Sequence, residues 1–337
     1  MDNELREGAQ NAVRVCMNVG EEDRVFIISD DETLTIGETL KEEALAAGAV
    51  VELRRLEEYA PRPITSVPEG LKAHAAAFIP TVTFFAASAQ EGELAMRMGL
   101  GRSLAEISKV RHGHMVSITE QLMREGMRAD YQQVYEMTNK VYELVKDADQ
   151  IHVASEKGTD LTAQFNPEFS WVPCHGCYHH EGDWGNLPEG EVYTCPATMD
   201  GIIVADVLGD YFSPKYGVLD QPVTFTIENG YVVKVDCEDK SLEEEILVYL
   251  NSSENGKRVG EFAIGTNTAV KHLTGRLLQD EKIPGVHVAF GNPYPLRTGA
   301  DWGSRVHVDV IPTNCTIDVD GEILMQDGEF VFLNSEV

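Results

Sequence analysis

Residues 24–56, RVFIISDDETLTIGETLKEEALAAGAVVELRRL, decide the fold class. RVFIIS is a short apolar run. TLTIGETLKEEALAAGA has apolar residues at helical spacing and ends at Gly48, and VVELRRL is a second short run. A strand, a helix and a strand in that order are the signature of a parallel sheet with crossover helices. The alternation continues through AAAFIPTVTFF (75–85) and the helical pattern ELAMRMGLGRSLAEISKV (93–110). A long helix follows over 129–149, with Tyr131, Val134, Met137, Val141, Leu144 and Val145 on one face. Upstream, MDNELREGAQNAVRVCMNVG reads as an opening helix with charges in its first turns.

From Ile151 the period changes to two. Turn dipeptides at Asn229-Gly230, Asp320-Gly321 and Asp327-Gly328 are flanked by strand-like residues, as in VTFTIENGYVVKVD (223–236). One helix is expected at SLEEEILVYLNSS (241–253), with Ser241 as its cap and Glu244 at capping-box spacing. The expectation is an α/β chain: an amino-terminal parallel-sheet domain over 1–150, then a mixed, β-rich domain over 151–337.

The 337 residues carry 56 acidic against 27 basic side chains, a formal net charge of −29. Long-range attraction to nucleic acid or anionic lipid is therefore not expected. No apolar run in the amino-terminal segment is long enough for a signal peptide or a membrane span, which gives a cytoplasmic expectation. The six cysteines are spread without a dense framework and are expected to be free thiols.

Near the carboxyl end, SRVHVDV (304–310) places Val306, Val308 and Val310 on one strand face and His307 and Asp309 on the other. Residues i and i+2 of a strand point the same way, so that imidazole and carboxylate can share one ligand. Three further clusters carry polar groups in strand and turn contexts. GNLPEGEVYTCP holds Glu191, with Glu189 two positions earlier; RVGEFAIGTN holds Glu261; DEKIPGVHVAFGNPY holds Glu281, His287 and Tyr294. Two imidazoles and at least three carboxylates are the ligand inventory of a site for two divalent cations, and hydrolysis is the natural chemistry of such a pair.

In that order the four clusters resemble the thermophilic-type metallo-aminopeptidases, the family of aminopeptidases T and S, and above all its shorter leucyl aminopeptidase-like members. The resemblance takes in GTDLT (158–162) and, more loosely, VFIISDDETLTIGETLKEEALAAGA (25–49), and so covers nearly the whole chain. It implies two divalent metal ions (Zn, Co or Mn) held by Glu191, Glu261, His287, His307 and Asp309. Removal of the amino-terminal residue of a short peptide through a metal-bridged hydroxide is the implied reaction. Glu261 or Glu281 would relay the proton and Tyr294 would donate to the oxyanion. A homodimer of two-lobed subunits is implied as well. The chain is also similar to the 2,5-dihydroxypyridine ring-cleaving dioxygenases, which implies a rival scheme. There one Fe(II) is held by His307, Asp309 and either His272 or His287, with an aromatic small molecule as substrate.

PCHGCYHHEGDW (173–184) fits neither pattern. Cys174, His175, Cys177, His179 and His180 could hold a soft metal, but they complete no zinc pattern, and a loop over the substrate pocket is the simpler reading. RHGHM (111–115) and GLGRS (99–103) read as structural; the latter lacks the third glycine of a dinucleotide fingerprint.

Overall fold

The structure is a computed structural model that describes residues 2–333. It divides into two compact units: 1–135 with 175–189, and 136–174 with 190–337. The period change places a single boundary near Gln150. The structure instead divides the chain within the helix Tyr131–Val145 and returns 175–189 to the first unit.

The first unit is built on a five-stranded parallel sheet in the order Val50–Arg55, Arg24–Ser29, Val82–Ala86, Arg111–His114, Trp184–Asn186. The quoted stretch forms its first two strands, joined by the helix Leu34–Ala46. AAAFIPTVTFF divides into two elements: its first residues finish the helix Glu69–Phe78, and only Val82–Ala86 is strand. The fifth strand comes from the cysteine and histidine loop, whose Trp184 lies opposite His112 and whose Asn186 lies opposite His114.

At the carboxyl end of Arg24–Ser29, the buried Asp30 accepts hydrogen bonds from Thr33, Ser88 and Arg62. Arg62 also forks onto Glu93 through two 2.6 Å contacts. These bonds hold the Asp30 carboxyl down at about 2 against the cost of its burial. A buried arginine paired in this way ties the strand end to the segments that carry Arg62, Ser88 and Glu93.

The second unit is a 13-stranded sheet in which every pairing is antiparallel. The hairpin dipeptides sit where period-two reading expects them. Asn229, Asp320 and Asp327 have positive φ, each followed by a glycine that also does. The helix Lys240–Leu250 begins earlier than expected, and its cap is Asp239, which accepts from the backbone of Ser241 and Leu242. In the helix Tyr131–Val145 the expected apolar face is buried at Tyr131, Val134, Val141 and Val145, but Leu144 is half exposed. Among the described residues no helix is long and apolar enough to cross a membrane, and all six cysteines are free thiols.

Candidate metal centre

Four neighbouring strands of the second unit, Glu191–Thr194, Val259–Gly265, Gly285–Gly291 and His307–Ile311, build the site. Their alternation sends Val192, Phe262, Ile264, Val286, Val288, Phe290, Val308 and Val310 into the hydrophobic core. The intervening residues face the other way, so each strand contributes one or two polar groups to a common surface.

Register then sets their spacing. Asp309 lies opposite Ala289, which lies opposite Glu261; His307 faces Gly291. One step along, His287 faces Ala263, and Glu191 faces Gly265. Along these pairings each ligand-type side chain thus faces an alanine or a glycine, with Cys174 on the outer side of Glu191. Gly265 is also required by contact: a Cβ there would lie 1.9 Å from the carbonyl oxygen of Ile283. At Gly209 an added Cβ would lie 2.7 Å from Asp309 Oδ2.

The five residues converge. His287 Nε2 lies 3.3 Å from Glu191 Oε2 and 3.5 Å from Glu261 Oε1. Glu261 turns its other oxygen toward His307 Nε2 at 3.8 Å, and that nitrogen is 3.7 Å from Asp309 Oδ2. Donor atoms of Glu191, Glu261 and His287 all lie within 4.8 Å of one another, as do those of Glu281, His287 and Asp309. The second histidine is fixed from behind: its Nδ1–H donates to the backbone carbonyl of Asn292 at 3.0 Å, leaving Nε2 for the cluster.

Charge explains what such a cluster needs. Glu191 Oε2, Glu261 Oε2 and His287 Nε2 are buried without a hydrogen-bond partner. Burying bare carboxylate oxygens side by side is costly unless a cation joins them. Without one, protons serve. Burial alone would lower His287, but the adjacent carboxylates of Glu191 and Glu261 push it up to about 10. Burial raises Glu281 to about 8, with Glu191 and Asp309 adding to the effect against Lys282, and Glu261 is raised by burial as well. Glu191 goes down to about 2 despite burial, because Lys282 and His287 stand beside it. Imidazole and carboxylate donors left open toward one point fit divalent cations, which would take the place of those protons.

Tyr294 is brought alongside, its ring centroid 4.8 Å from that of His307. Desolvation, with the charges of Glu261, Asp309 and Glu281, holds its phenol well above the usual tyrosine value. Tyr193, on the site face of its strand, meets the Tyr294 ring at 5.9 Å. Lys282 is the group that sequence reasoning misses. Its Nζ lies 2.9 Å from Glu191 Oε1 and 2.8 Å from Glu281 Oε1. No local pattern marks it, since a lysine after two acids in a Pro-Gly turn reads as surface charge.

Other candidates lie elsewhere. His272 is exposed and belongs to neither donor group. Glu189 lies in the first unit, accepting from Tyr178 Oη at 3.0 Å. The cysteine and histidine loop spreads out. His175 lies against Tyr135 with the two rings tilted, His179 Nε2 donates to the Val15 carbonyl at 2.8 Å, and His180 pairs with Asp183. Among the described residues, no donor group includes any residue of that loop.

Compared with known proteins, residues 108–332 match the model of the NicX family, 2,5-dihydroxypyridine 5,6-dioxygenase. Among solved structures, wild-type AmpT (aminopeptidase T) from Thermus thermophilus superposes with a TM-score of 0.71 at 19% identity, over 97% of this chain and 99% of that one. The 2,5-dihydroxypyridine dioxygenase of Pseudomonas putida KT2440 superposes with a TM-score of 0.71 at 16% identity, over 98% of each chain. No curated protein matches significantly by sequence. At these identities the two structures share the fold, and both, like the matched family, are enzymes. The matched range holds more than half of the residues and all five converging donors, and the chain belongs to the 2,5-dihydroxypyridine 5,6-dioxygenase (NicX) family.

Proposed function

We propose that the chain is a metal-dependent hydrolase that removes the amino-terminal residue of short peptides, using two divalent ions of the zinc, cobalt or manganese kind. One observation carries this reading: Glu261 turns one oxygen to His287 and the other to His307. That divides the donors into two positions that share a carboxylate, with Glu191 and His287 on one side and His307 and Asp309 on the other. A single ion on two histidines and Asp309 would leave the unpartnered oxygens of Glu191 and Glu261 unanswered.

Bound there, divalent ions polarise a carbonyl and lower the pKa of a water. Around them, Glu281 is the better-placed proton carrier, since it lies beside His287 and Asp309 while each oxygen of Glu261 faces an imidazole. Tyr294, protonated throughout the working range, donates to the oxygen on which negative charge develops. Tyr193 and Tyr294 form an aromatic wall for the substrate. A homodimer and a cytoplasmic location belong to the same proposal.

A second reading has its own support in the family match: one ferrous ion on His287, His307 and Asp309, with oxygen and a dihydroxypyridine-type ring as substrates. Assays of purified protein with aminoacyl amides under nitrogen, and with hydroxypyridines in air, separate the two. Oxygen-independent amide cleavage is expected. Oxygen uptake with ring opening and no amide cleavage would overturn the hydrolase reading in favour of the second.

A further inference from the structure

Lys282 puts an amine among the carboxylates and imidazoles of the candidate metal centre. Its side chain is 0% exposed, and its Nζ bridges Glu191 Oε1 and Glu281 Oε1 at 2.9 and 2.8 Å. The backbone fixes this placement. Lys282 N–H donates to Gln279 O at 2.9 Å, Asn267 N–H donates to Lys282 O at 3.0 Å, and the segment presses so closely on Gly265 that no side chain fits between them. Glu191 is fixed independently, at the start of a strand paired with Gly265 on one side and Cys174 on the other.

We propose that Lys282 is a resident cation that competes with a divalent ion for Glu191 and Glu281, so that the ion position formed by Glu191, Glu261 and His287 is the weaker and more exchangeable of the two. The inference rests on the metal reading above. One oxygen of Glu191 holds the ammonium while the other faces His287. A cation on that second oxygen would sit on the same carboxylate as the ammonium, in surroundings from which water is excluded. Like charges so placed repel far more strongly than they would in solvent. Orientation works the other way, since an ion-paired carboxylate is better positioned, but the strand pairing already supplies most of that. The charge effect therefore dominates. Lys282 is a positioning residue here, acting on the ion through Glu191.

The test uses the full chain, stripped of metal and titrated with Zn2+ against a chromogenic chelator. Lys282→Met keeps the length and bulk of the side chain and removes its charge. The wild type is expected to bind in two steps, and Lys282→Met to tighten the weaker step at least tenfold while the stronger one stays put. Lys282→Arg should remain close to wild type. A wild type that takes one ion where Lys282→Met takes two is the same effect at its limit. An unchanged or weakened second step in a folded Lys282→Met protein would overturn the inference. If that variant does not fold, a metal-loaded structure of the wild type decides. Lys282 Nζ still on Glu191 Oε1, with the ion on Oε2 alone, supports the inference; a displaced Lys282 with both oxygens on the ion refutes it. Absence of divalent-ion binding by wild type and variant alike would refute the metal reading itself.

Discussion

The partly buried histidine pair of the first unit gives a pH prediction whose size follows from the structure. His112 Nδ1 is bonded to Thr83 Oγ1 at 2.7 Å, and its Nε2 lies 3.4 Å from His114 Nδ1. Desolvation lowers His112 to about 4; desolvation, with the charges of His112 and Arg97, lowers His114 to about 3. Both are neutral in the folded chain near neutral pH, and both return to an ordinary value of 6.5 on unfolding. The unfolded state thus binds more protons below that value, so stability is full above it and falls as the pH drops toward 4. Between pH 7 and pH 5 the loss is about 2 kcal/mol for each ring, and partial exposure trims the total to roughly 2–3 kcal/mol.

His287 and His307 have the opposite sign in the metal-free protein, since both are raised. The assay is therefore a difference: urea unfolding of metal-free wild type and of His112→Gln/His114→Gln at pH 7, 6 and 5. The wild type should lose about 2–3 kcal/mol more than the variant over that range. Parallel stability curves would refute the idea that the pair is held neutral by burial.

Four shorter predictions accompany it. Tyr294→Phe should slow turnover by about 100-fold at unchanged metal content, as loss of one oxyanion donor does, read by steady-state kinetics and elemental analysis. Asp30→Asn should destabilise the chain by about 2 kcal/mol, because Arg62 keeps only the Glu93 and Glu57 carboxylates and the Ser88 carbonyl; the deficit should shrink as the pH falls from 3.8 toward 2, where the wild-type carboxylate itself takes up a proton. Gly265→Ala, which drives a Cβ into the Ile283 carbonyl, should cost about 3 kcal/mol and weaken metal binding by shifting its strand partner Glu191. Asp239→Ala should lower the melting temperature more than Ser241→Ala, since Asp239 accepts the first backbone N–H groups of its helix.

How much of this was legible in sequence differs from residue to residue. His307 and Asp309 are neighbours by strand alternation alone, and the valines between them do face the core as the period requires. Glu191, Glu261 and His287 are separated by 70 and 26 positions, and only strand pairing joins them. Spacing could not supply that; the family resemblance could. Lys282 escaped both, because its meaning depends on a backbone contact with Gly265 that no short pattern encodes. The return of 175–189 to the first unit was hidden for a similar reason: a three-residue strand, Trp184–Asn186, has too few residues to show a period. At Lys240–Leu250 the expected cap is Ser241, but Asp239, two positions earlier, makes the bonds. The first parallel unit was easier, since strand, helix and strand follow one another without interruption.

Anomalous scattering from crystals of the full chain soaked in Mn2+ tests the central claim most directly. Two peaks are predicted, one against Glu191 and His287 and the other against His307 and Asp309, both within bonding distance of Glu261. A single peak on His287, His307 and Asp309 with Glu191 and Glu261 turned away, or no peak among these residues, would contradict it.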